Sequence, residues 1–141
     1  MKKTLSLILS LVLALGCTLA LVSCGGSDVA GVYEMTDISG TMTSGGVTVD
    51  LSKDLYEYYT ITLNKDGTGS VKAKGTASGN TSIEQDITWE YEETTLKIIS
   101  VQSGVNVVEE MTLVDGVIKY NVNQALPGGG NMNMNLTLTK K

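Results

Sequence analysis

From residue 31 to the C-terminus, apolar and polar side chains alternate with a period of two, and turn-forming residues interrupt them every eight to twelve positions. Such a chain has one face to bury and one to leave in water only when it is extended, so it is read as an antiparallel sheet. The last segment is the clearest case. In Met132-Asn133-Met134-Asn135-Leu136-Thr137-Leu138-Thr139 every even position is apolar and every odd one polar. Tyr59-Thr60-Ile61-Thr62-Leu63 alternates likewise and runs into Asn64-Lys65-Asp66-Gly67, a turn whose glycine supplies a positive φ. The return places Gly69, Val71 and Ala73 inward and Ser70, Lys72 and Lys74 outward. Ile87, Trp89 and Tyr91 share a face, residues 92–94 turn the chain, and Leu96 and Ile98 begin the next strand. Val107, Met111 and Leu113 face in before a turn at residues 114–116, and Ile118, Tyr120 and Val122 follow. With residues 32–37 this makes about eight strands, the number that closes a small barrel around its own side chains. The expected fold is all-β: a small antiparallel up-and-down barrel.

Three stretches depart from the pattern. Residues 51–58 carry Leu51 and Leu55 one helical turn apart, with Asp50 placed to cap them, and are expected to form a short helix. Residues 39–50 read either as an edge hairpin or as a mobile loop. Residues 127–130, Pro-Gly-Gly-Gly, read as a flexible loop before the final strand.

The N-terminus does not belong to this sheet. Met1-Lys2-Lys3 precedes an apolar run from Leu5 to Val22, and a basic start followed by an apolar stretch and small residues marks a secretory signal. The run closes with Leu21-Val22-Ser23-Cys24, then Gly25-Gly26-Ser27. This resembles the bacterial lipobox, in which the cysteine is acylated and becomes the first residue of the mature chain. The resemblance implies a signal peptide at 1–23, lipidation of Cys24 within a flexible linker at 24–30, and one domain at 31–141. It also implies attachment to the cell membrane, through acyl chains on Cys24, at the extracytoplasmic face.

Composition then excludes whole classes of function. There is no histidine, and all ten basic residues are lysine. Histidine-dependent nucleophile relays and His-ligated zinc are therefore absent, as is any bidentate guanidinium clamp for phosphate or guanine. Loss of Lys2 and Lys3 with the signal takes the formal net charge from −5 to −7, which argues against nucleic acid. Asp50, Asp54 and Glu57 lack the spacing of a calcium loop, and Met132 and Met134 have no second ligand cluster. No metal or other cofactor is expected.

The order of signals resembles that of small bacterial lipoproteins with a lipocalin-like domain. It rests on Gly31-Val32-Tyr33 at the start, on residues 59–69, on Ile87-Thr88-Trp89-Glu90-Tyr91 with Thr95-Leu96-Lys97-Ile98, and on Met134-Asn135-Leu136-Thr137-Leu138 at the end. Larger lipocalins place a tryptophan where Tyr33 stands and cover it with an arginine, which this chain lacks.

Candidate site residues follow from strand parity. Tyr33, Tyr59, Trp89, Tyr91 and Tyr120 all point inward, either lining a pocket for a small amphiphilic ligand with hydroxyl handles or filling the core. Tyr56, Tyr58 and Tyr59 form an exposed patch or belong to a helix plugging one barrel end, with Tyr59 in and Tyr58 out. Glu109 shares the parity of Val107 and Met111 and marks a barrel mouth, a bulge or a buried acid. The pairs Glu92-Glu93 and Glu109-Glu110 cannot work as paired acids, since neighbours on a strand face opposite ways. The expected function is non-catalytic: a monomeric, membrane-anchored lipoprotein binding a small amphiphile or an envelope component. The alternative is a protein-interaction or inhibitor module acting through residues 39–50 and 123–131 on a filled barrel.

Overall fold

The computed structural model describes residues 28–76, 82–126 and 128–141. The expected signal segment, Cys24 and most of the linker lie outside the described residues. The chain forms β1 (Gly31–Ser44), β2 (Val47–Leu51), β3 (Tyr56–Leu63), β4 (Thr68–Gly75), β5 (Ser82–Glu92), β6 (Thr95–Gln102), β7 (Val105–Val114), β8 (Val117–Leu126) and β9 (Gly130–Lys140). Neighbours pair antiparallel in the order β2-β1-β3-β4-β5-β6-β7-β8-β9, and β1 returns to pair with β9. The result is a closed up-and-down barrel of eight strands, with β2 as an extra strand hairpinned onto β1.

The barrel is sealed at one end and splayed at the other. β1 pairs with β3 over residues 31–34 only, because its second half is taken by β2. Across the barrel, β7 pairs with β8 only from Thr112 to Val114, although it runs beside β6 along its whole length. Both short ladders lie where β1 begins and β7 ends, so the two walls are stitched together at that end and diverge toward the other. The core sits at the stitched end. Tyr33, Ile61, Leu96, Ile118 and Leu138 are fully buried, with Leu63, Ile98 and Leu136 close behind.

Two bulges set which side chains enter the barrel. The register of β1 shifts between Met35 and Asp37, and the extra residue, Thr36, donates its hydroxyl to the Thr137 carbonyl. A bulge of one residue reverses parity, so inward positions pass from Tyr33 and Met35 to Ile38 and Met42. A second shift, between Tyr56 and Tyr58 on β3, brings both Tyr56 and Tyr59 against the core.

Two expectations are corrected here, and one alternative is decided. The helix at 51–58 is not formed: Leu51 ends β2, a single 3-10 turn spans Lys53–Leu55, and Tyr56 opens β3. Asp50 lies in β2, Ser52 holds the cap position without a side-chain bond, and one turn of helix carries the nucleation cost with too few bonds to offset it. No helix therefore plugs the barrel at these residues. The segment 39–50 is the edge hairpin, turning through Gly45 and Gly46, both at positive φ. The loop expected at 123–131 is mostly strand, since β8 runs to Leu126 and β9 starts at Gly130.

Candidate functional site

The inward aromatics divide between the two ends. At the stitched end, the Tyr33 hydroxyl donates to the Val29 carbonyl at 2.6 Å. The Trp89 indole N–H is shared between the carbonyls of Asn64 and Thr68, both at 3.0 Å. The Tyr91 hydroxyl donates to the Leu113 carbonyl at 3.2 Å. Burial first, then the neighbouring Tyr91, pushes the Tyr33 phenol above its ordinary pKa. These three rings close the barrel floor, and their polar atoms are used to tie it shut.

At the splayed end the other candidates come together. Glu109 points inward, half-buried, opposite Ile98 on β6, and the β6–β7 register is continuous around it, so it is not a bulge. The Tyr120 hydroxyl donates to Glu109 Oε1 at 2.9 Å. Tyr59 lies within electrostatic reach of both, and Tyr56 meets Tyr59 edge to face, with centroids 6.2 Å apart and planes at 84°. Parity alone misplaces Tyr56, which reaches this group only through the bulge in β3. Among the described residues no ion pair involves Glu109.

Above this cluster the wall is largely aliphatic, with Ser44, Gln85, Gln102 and Gln124 interspersed on the same parity. The inward aliphatic positions toward the splayed end include Met42, Val47, Val49, Ile83, Val105 and Val107, continuing the parity of the core on each strand. Yet Val47 is 65% exposed, Val105 64% and Ile83 57%. Inward-pointing aliphatic side chains that water reaches describe a wet apolar mouth over a polar floor. A separate hollow of about 670 Å³ lies outside the barrel over Ser70, Glu84, Asp86, Thr88 and Ile99. It is open to solvent, and its Glu84 is held by Lys72 at 2.7 Å.

Burial raises the Tyr59 pKa to about 12, helped by the Glu109 carboxylate and then by Tyr56. Tyr120 is raised as well, by burial and by its bond to Glu109. An unfolded tyrosine ionises near pH 10. The folded pKa lies above the unfolded one, so the stability from neutral Tyr59 is complete below pH 10 and is lost as pH rises through about 12. Wild type is therefore expected to lose stability between pH 10 and 12 more steeply than Tyr59→Phe, by up to about 1.4 kcal/mol per pH unit. Urea midpoints followed by circular dichroism across that range check this, and equal slopes would show that the phenol is not held in the barrel.

Comparison with family models, with curated proteins and with solved structures found no match to this chain.

Proposed function

We propose that this chain is a non-catalytic, lipocalin-like binding protein that takes a small amphiphile into the splayed end of its barrel. The observation that carries this reading is the wet apolar mouth. A barrel serving only as scaffold has no reason to keep Val47, Val49, Ile83 and Val105 aliphatic on inward positions that are exposed. Beneath them Glu109, Tyr59 and Tyr120 supply the few convergent polar groups that orient a bound molecule. The lipobox-like Leu21-Val22-Ser23-Cys24 supports anchoring at the extracytoplasmic face of the membrane. The described chain enters at the stitched end, where Lys140 Nζ donates to the Asp28 carbonyl. A tether there turns the mouth away from the lipid.

The test uses the full chain in nanodiscs of uncharged lipid, with N-phenyl-1-naphthylamine as an uncharged apolar fluorophore. One-to-one binding is expected, lost in Ile83→Asp, which puts a charge on the mouth wall at a position more than half exposed. Trp89 emission is expected to stay blue-shifted and unchanged on binding, because that ring is buried in the opposite end. Absence of binding by wild type overturns the reading in favour of a protein-interaction module working through the β1–β2 hairpin.

A further inference from the structure

We infer that the ligand's head group is an organic cation, an amine or quaternary ammonium, seated against Glu109 and the rings of Tyr56, Tyr59 and Tyr120. This rests on the amphiphile-binding reading above and names the ligand class for the same site.

The argument starts from sign. Of the inward positions on the nine strands only two carry a charge: Lys140, opposite Tyr33 at the stitched end, and Glu109, which alone carries one toward the splayed end. A half-buried carboxylate in apolar surroundings is costly unless it is paired or hydrogen-bonded. Among the described residues its only side-chain bond is from Tyr120 to Oε1. No described polar side-chain atom is both buried and without a partner, so Oε2 remains within reach of a molecule entering from the mouth. Lys72, Lys74 and Lys97 lie on outward positions and pair with Glu84, Glu57 and Glu110, and Lys140, which shares the face of Tyr33, donates to the Asp28 carbonyl at the stitched end. The splayed end thus holds one inward negative charge with no ion-pair partner among the described residues.

The surroundings refine the choice. The Tyr120 and Tyr59 rings lie beside that carboxylate, and Tyr56 stands perpendicular against Tyr59. Aromatic faces attract a cation through the ring quadrupole, and a desolvated site strengthens the attraction. The low dielectric strengthens the ion pair as well. An anionic head group meets the opposite situation, since it would share a poorly solvated space with Glu109. A hydroxyl head could accept from a phenol, but it would leave the charge uncompensated.

A matched series separates these cases: dodecylamine, dodecanol and dodecanoate, each below its micellar concentration, titrated by calorimetry into the full chain in uncharged nanodiscs. Wild type is expected to bind the amine at least tenfold more tightly than the alcohol, and the carboxylate more weakly than either. In Glu109→Gln, which keeps the shape and a hydrogen-bonding side chain, the amine and the alcohol should bind alike. Tyr59→Phe tests the rings apart from the charge, and it should retain most of the amine preference because the aromatic face remains. Equal binding of all three compounds overturns the cation assignment, and an amine preference that survives in Glu109→Gln overturns the seat at Glu109, each leaving the amphiphile reading intact. If none of the three binds and N-phenyl-1-naphthylamine does not bind either, the amphiphile reading fails and the head-group assignment falls with it.

Discussion

Trp89→Ala is expected to destabilise the barrel by about 3–5 kcal/mol, the usual cost of emptying a large buried aromatic site. Trp89 is 7% exposed, and it does more than fill space. Its indole N–H joins the two ends of the β3–β4 hairpin by reaching both the Asn64 and the Thr68 carbonyls. Its backbone N–H bonds the Gly67 carbonyl of the same turn at 2.8 Å. One residue of β5 thus pins the turn that starts the barrel floor, next to where β1 and β3 make their short ladder. Trp89→Phe is the informative partner. It keeps most of the apolar volume and removes the donor, so its cost should fall well below that of alanine, near the 1–3 kcal/mol of two carbonyls losing a buried donor. Guanidinium midpoints read by far-ultraviolet circular dichroism measure both, since the only tryptophan is the one replaced. A loss under about 1 kcal/mol for the alanine variant would mean that the floor is not the source of the barrel's stability.

The division between floor and mouth explains how much could be read from the chain alone. Period-two alternation is a local property, so it located the strands carrying Ile61, Trp89, Leu113, Ile118 and Leu138, all of them buried. The turns were legible for the same reason. Asp115 and Gly116 both take positive φ, at 51° and 74°, as a two-residue hairpin turn requires. A bulge breaks this kind of inference, because parity carried across one unpaired residue comes out reversed. Parity carried from Tyr59 therefore misses Tyr56, and parity carried from Tyr33 and Met35 misses Ile38. The meeting of Glu109 with Tyr120 was out of reach for a different reason. Those residues sit on adjacent strands beyond the point where the β7–β8 ladder stops. Their contact depends on how far the two walls diverge, which no local pattern encodes. Glu109 was nonetheless singled out by its parity, because a lone charge among inward aliphatics is visible without knowing the closure.

Gly40→Val is expected to cost roughly 3–5 kcal/mol, combining backbone strain with overpacking, whereas Gly45→Asn should change stability by less than about 1 kcal/mol. Both glycines lie in the β1–β2 hairpin, and both have positive φ, 132° and 58°. Their surroundings differ. A side chain at Gly45 meets nothing within 4 Å, and its φ is one that asparagine adopts readily. At Gly40 an added Cβ would collide with the Asn133 carbonyl of β9. Gly40 is also where β1 is paired on both sides at once, with Leu51 on β2 and Met134 on β9. A valine there must push β9 away from β1, and that ladder is the seam that closes the barrel. Hydrogen exchange on β1 and β9 amides separates this effect from a general loss of stability. Protection should fall first at residues 40–43 and 131–134, beside the mouth, and last near Tyr33, where the floor holds. Uniform loss of protection along both strands would show that mouth and floor open together as one unit, and the wall above Glu109 could not then rearrange around a ligand while the floor stays closed.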